Sequence, residues 1–163
     1  MGVADPAAAD AERFMRIALQ LAERGMAAGG PPVGASLVRD GELITAGHNA
    51  VISELDVTAH AEIVVIRAAC RELRSLSLAN TTLFVTIEPC PMCIAACHYA
   101  GIGEIIYGAS IETLHAVTGT ELCVDAELLI APDRHLKLSG GLLATEAGKL
   151  IEQWQSLRQG RSV

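Results

Sequence analysis

The chain of 163 residues is 51% hydrophobic but only 3% aromatic, with a positive mean hydropathy. One domain is expected at this length, its large core built from Ala, Leu, Ile and Val. The net charge of −7 includes only two lysines, Lys137 and Lys149, and disfavours broad contact with polyanions such as nucleic acid.

Residues 1–10 read as a flexible tail and 11–160 as the domain. Asp10 is suited to cap a helix starting near Ala11, in which Phe14, Ile17, Ala18, Leu21 and Ala22 fall at helical spacing. Gly29-Gly30-Pro31-Pro32 ends it. Strands are predicted over Val33–Arg39 and Glu42–Gly47, antiparallel because Asp40-Gly41 is a two-residue hairpin turn. A loop from His48 to Val57 leads to a helix over Ala59–Leu73. A buried strand covers Leu83–Ile87, a helix runs from Pro91 to about Tyr99, and Gly101 and Gly103 precede a strand at Glu104–Gly108. Ile111–Val117 reads as a short helix, Glu121–Ile130 has no clear period, and His135–Leu138 suggests a last strand. Leu142–Arg158 forms a final helix with Leu150, Ile151, Trp154 and Leu157 on its apolar face. Strands alternating with helices imply a mainly parallel sheet covered on both sides.

Thr58-Ala59-His60-Ala61-Glu62 and Glu88-Pro89-Cys90-Pro91-Met92-Cys93 read as two halves of one zinc site, each at a helix start. Pro91 suits the first helical position, and the helix N-terminus stabilises the Cys90 and Cys93 thiolates. Together with His60 these give three ligands and an open fourth position, the arrangement of a catalytic zinc that lowers the pKa of bound water to about 7. Glu62 is then positioned to carry protons. Alone, the C-x-x-C also fits a redox pair or half of a structural zinc site, and a His-x-Glu says little. The pairing of both halves favours catalysis over a zinc-stabilised binding module, which has no use for Glu62. Cys97 lies on the same helix face as Cys93 and either competes for the metal or, like Cys70 and Cys123, serves as a small buried hydrophobe. The five cysteines are an odd number, and the first ten residues lack the features of a secretory leader, so no disulfide framework and a cytoplasmic location are expected.

With these residues in place, the chain resembles the zinc-dependent cytidine/deoxycytidylate deaminase superfamily from Ala11 to Trp154. It is most similar to the guanine deaminase and tRNA adenosine deaminase branch. Gly34-Ala35-Ser36-Leu37-Val38 resembles that branch's first strand. Asp56-Val57-Thr58-Ala59-His60-Ala61-Glu62 resembles its D-P-T-A-H-A-E motif with Val57 replacing proline, and Thr82 to Cys93 matches strongly. The resemblance implies a three-layer α/β/α cytidine deaminase-like fold with a five-stranded mixed sheet, strands four and five parallel. It implies one zinc per chain, hydrolytic deamination by a zinc-held hydroxide with Glu62 as proton shuttle, and a homodimer.

The resemblance further implies substrate contacts from Asn49, the Ala61 backbone N–H, Glu88 and Tyr99. Asn49 is alternatively a turn residue and Tyr99 a core aromatic; Trp154 is a pocket lid or a core residue. Guanine deaminases carry an aspartate pair after the fourth strand, where this chain has Glu121. tRNA-acting members carry basic residues after the zinc helix and in the last helix; here Gly101, Glu104 and Ser110 occupy the first region and only Lys149 and Arg158 the second. The expected substrate is therefore a free nucleobase or nucleoside, purine-type and guanine-like, with tRNA adenosine or cytosine/cytidine as the alternative.

Overall fold

A computed structural model describes residues 6–130 and 136–160. The elements are α1 Pro6–Ala27, β1 Gly34–Arg39, β2 Glu42–His48, α2 Val51–Glu54, α3 Ala61–Leu73, β3 Thr82–Ile87, α4 Pro91–Ala100, β4 Glu104–Ala109, α5 Ile111–Thr118, a 3₁₀ turn at Ala126–Leu129, β5 Lys137–Ser139 and α6 Ala144–Gly160.

The sheet order is β2-β1-β3-β4-β5. β1 pairs antiparallel with both β2 and β3, while β3–β4 and β4–β5 are parallel, as expected for the last two strands. The hairpin turns on Asp40 and Gly41, both in the left-handed region at φ 52° and 77°. Strand alternation sends Ala35, Leu37, Leu83, Val85 and Ile105 into one core with Val65 and Ala69 of α3 and Ile94 and Cys97 of α4. The opposite face carries Val38 and Phe84 against Phe14, Met15 and Ala18 of α1 and Leu150 and Ile151 of α6. The result is the three-layer α/β/α arrangement.

Several boundaries differ from expectation. α1 starts at Pro6, so residues 6–10 of the expected tail are helical, and residues 1–5 lie outside the described residues. The stretch after β2 holds the short helix α2, closed by Leu55 in a left-handed conformation (φ 51°), because four residues are too few to show a period. The last strand is Lys137–Ser139, and His135 of its predicted range lies outside the described residues. Cys123 is exposed rather than buried, since its loop runs along the surface.

Gly34 fixes how closely α1 approaches the sheet. A Cβ there would lie 2.1 Å from the Ala18 carbonyl oxygen and 2.7 Å from the Ala22 nitrogen. Its N–H donates to Thr86 Oγ1 at 3.2 Å, whose hydroxyl donates to Pro32 O at 3.1 Å. Gly34→Ala is expected to cost roughly 1–3 kcal/mol through overpacking against backbone that cannot rotate away, read as a lower denaturation midpoint.

Candidate active site

The two sequence halves meet at two helix starts. His60 is the extended residue preceding α3 (φ −63°, ψ 156°), and Cys90 holds the same position before α4 (φ −68°, ψ 166°). Pro91 opens α4, as its fixed φ allows, and Cys93 follows on the first turn. The Cys90 and Cys93 sulfurs each lie 3.6 Å from His60 Nδ1, and the three donor atoms lie within 4.8 Å of one another. A tetrahedral zinc with Zn–S of about 2.3 Å and Zn–N of about 2.0–2.1 Å separates sulfur from nitrogen by about 3.6 Å. The donor set and its spacing therefore fit zinc. Cys97, one turn on and fully buried in the α3/α4 core, is not one of the trio.

The protonation pattern also suits a cation. The Cys93 hydrogen bond and then His60 lower Cys90 against the opposing effect of burial, whereas the same hydrogen bond, burial and Glu62 push Cys93 up. The hydrogen bond to Cys90 raises His60.

Glu62, on the first turn of α3, is 3% exposed, and its Oε2 has no hydrogen-bond partner. Burial pushes its carboxyl up to about 7, with the Cys90 thiolate adding to the rise and its own backbone N–H and His60 opposing it. A buried carboxyl with one unpartnered oxygen, beside a metal-ligand cluster, is suited to hold and release a proton near neutral pH.

A cavity opens over these groups where β3 and β4 end. Its lining includes Val33, Asn49, His60, Glu62, Glu88 and Cys90, with Ile111, Leu114, Glu121 and Trp154 from the segments after β4. Asn49 is 6% exposed and its Oδ1 accepts from Val51 N–H at 3.1 Å, so it serves the turn and lines the pocket at once. Glu88 Oε2 accepts the Ile111 N–H at 3.1 Å, and Glu88 N–H donates to Ala109 O at 2.8 Å, tying the zinc turn to the start of α5. Ala61 is fully buried at the first position of α3 and is not among the wall residues. The expectation of a ring stacked by Tyr99 is not met: Tyr99 is 86% exposed and away from the cavity. It lies six residues past Cys93, a rise of about 9 Å along the helix, on the outer side. Trp154 instead supplies the aromatic wall, with the Arg158 guanidinium 4.7 Å from its ring centre.

The approach to His60 is braced from outside. Asp56 Oδ1 accepts from Thr58 N–H and Oγ1 at 2.8 and 2.7 Å, and Arg67 bonds both Asp56 and Thr58 at 3.2 Å. These bonds, the Thr58 hydroxyl foremost, lower the Asp56 pKa. The apolar wall of Pro31, Ile87, Ile111 and Leu114 carries no residue type that marks a site, and only the fold assembles it.

A family model described as cytidine and deoxycytidylate deaminase zinc-binding region matches residues 8–109. The chain belongs to this deaminase family. It is a zinc-dependent hydrolytic deaminase with a cytidine deaminase-like fold. This deaminase is 36% identical over 154 residues to a tRNA-specific adenosine deaminase of Haemophilus influenzae, covering 93% of this chain and 87% of that one. It is 47% identical over 105 residues to the chloroplastic tRNA(adenine(34)) deaminase of Arabidopsis thaliana; the match takes in 64% of this chain and spans 8% of that longer protein. A solved structure from studies of A-to-I editing by tRNA deaminases at the wobble position superposes with a TM-score of 0.75 at 34% identity, covering 85% of this chain and 98% of that one. The guanine deaminase of Nitrosomonas europaea superposes with a TM-score of 0.80 at 26% identity, covering 96% and 87%.

These relatives overturn the expectation of a free, guanine-like nucleobase or nucleoside as substrate. The curated relatives matching most of the deaminase's length are tRNA-specific adenosine deaminases. Net charge misled because −7 is a sum over the whole surface and says nothing about how the charges are distributed on it. No helix among the described residues is long and apolar enough to cross a membrane.

Proposed function

We propose that this deaminase converts adenosine to inosine within tRNA in the cytoplasm, releasing ammonia. The observation that carries this reading is the 36% identity to tRNA-specific adenosine deaminases along nearly the full length of both chains. In this reading His60 Nδ1 and the Cys90 and Cys93 sulfurs hold one zinc. When bound, zinc supplies activation of a water for attack on the ring carbon that bears the amino group. Glu62 takes one proton from that water and passes it to the ring nitrogen, then takes the remaining water-derived proton from the new hydroxyl on the ring carbon and delivers it to the amine as the carbon–nitrogen bond breaks, so that ammonia leaves. Asn49 orients the base, Glu88 steadies the α5 wall, and Trp154 closes one side of the ring slot. The depth of Glu62 suits a base drawn out of its strand, because buried groups are beyond the reach of a base stacked in a helix.

The test is nucleoside analysis of tRNA transcripts after incubation with zinc-loaded protein. Inosine at an anticodon adenosine is expected; unchanged adenosine across the transcripts would reject the reading.

The protein is further read as a homodimer. Ile52, Leu55 and Val57, which are 58%, 93% and 80% exposed, form an apolar stretch next to the zinc-site approach that suits burial against a second copy. Sedimentation analysis is expected to give twice the chain mass of 17.1 kDa, and a monomer at micromolar concentration would reject this part.

A further inference from the structure

The pocket has carboxylates at two depths. Glu62 lies at the floor, 3% exposed, whereas Glu121 lines the same cavity between exposed Thr120 and Leu122 and therefore sits at the rim. Glu121 is held in two ways. Thr118 Oγ1 donates to its Oε1 at 3.0 Å, and His115 Nδ1 lies 3.0 Å from its backbone oxygen. Both contacts span the turn that ends α5, where Gly119 takes φ 69°. A carboxylate has about four acceptor sites, so the Thr118 bond leaves most of that capacity for another donor.

The chemistry of the substrate narrows what that donor is. This step rests on the tRNA reading above. Adenine's ring nitrogens accept hydrogen bonds, and its one donor group is the amino group, which must reach the floor beside Glu62 to be displaced. With the base so oriented, the sugar lies at the rim. Within an RNA strand the 3′ and 5′ oxygens are esterified, and a carboxylate repels the phosphates. Among the target nucleotide's own groups the 2′-hydroxyl is the remaining donor, and it is also the group that separates RNA from DNA. We infer that Glu121 accepts a hydrogen bond from the 2′-hydroxyl of the target nucleotide and so selects ribonucleotide over deoxyribonucleotide substrates.

The experiment compares two anticodon stem-loop oligonucleotides that differ only in ribose or 2′-deoxyribose at the target adenosine, using zinc-loaded protein. The wild type is expected to favour the ribo substrate roughly ten- to a hundred-fold in kcat/KM, the range for a hydrogen bond to a charged group. Glu121→Ala is expected to lower turnover of the ribo substrate and to bring the ratio close to one. Glu121→Gln, which keeps an acceptor oxygen, is expected to retain part of the preference. Equal wild-type rates on the two oligonucleotides would overturn the inference without involving any variant. So would an equal loss on both in Glu121→Ala, the result expected if Glu121 only anchors the end of α5. No turnover of either oligonucleotide by the wild type would reject the tRNA reading, and this inference with it.

Discussion

Glu62→Gln is expected to keep its zinc and lose about 10²- to 10⁴-fold in kcat, the usual contribution of a positioned general acid–base group. The substitution preserves shape and removes only the ability to exchange a proton. Glu62 is not one of the three clustered donors, so the metal content should stay at about one zinc per chain. Stability should hold or rise. The native carboxyl is buried with an unpartnered Oε2, and a neutral amide there avoids the penalty for burying a charge. Zinc content by atomic absorption, a thermal melt and inosine formation together separate this outcome from general damage. A Glu62→Gln protein that turns over at the wild-type rate would remove Glu62 from the mechanism.

The second large effect concerns the metal. Cys93→Ala is expected to abolish stoichiometric zinc and activity together, because His60 and Cys90 alone leave the cation without its third protein donor. Cys97 does not rescue the site. It lies four residues further along α4, a rise of about 6 Å, and is fully buried in the α3/α4 core. Cys97→Ala should therefore keep about one zinc and most activity, while losing modest stability from a small core cavity. Zinc titration of refolded protein distinguishes the two variants. Full zinc binding by Cys93→Ala would contradict the proposed ligand set.

The parts of the site legible in the sequence were those whose chemistry needs a fixed local spacing. His60 and Glu62 share one turn, Cys90 and Cys93 another, and Pro91 with Gly101 marks the ends of α4, so short-range rules placed all four groups on helix starts. The sheet order near the hairpin was legible for the same reason, since Asp40-Gly41 permits only an antiparallel pair. Three features were harder to read. Tyr99 looked like a stacking ring because of its rank in a familiar pattern, but helical rise carries it out of reach of the pocket. The apolar wall is built from Pro31, Ile87, Ile111 and Leu114, residues that look like ordinary core until β3, β4 and α5 converge. Substrate class was the largest miss, because total charge does not reveal which groups surround one opening.

The short surface segments were illegible for a different reason. α2 is four residues long, and the turn at Ala126–Leu129 is no longer, so neither presents a repeating face. Glu121 lies between α5 and that turn, and nothing in its sequence surroundings distinguishes a rim carboxylate from a solvated one. Only the Thr118 contact and the shared cavity do.

A nucleic-acid substrate at a zinc-dependent deaminase site is the central proposal. The most direct measurement is kcat/KM for inosine formation on a tRNA anticodon arm, set beside ammonia release from free adenosine, adenine, guanine and cytosine under the same conditions, with zinc-loaded protein. Efficient inosine formation in the RNA, abolished by chelation, is expected, with the free compounds turned over far more slowly. Ammonia release from a free base at high efficiency, with the anticodon arm untouched, would contradict it.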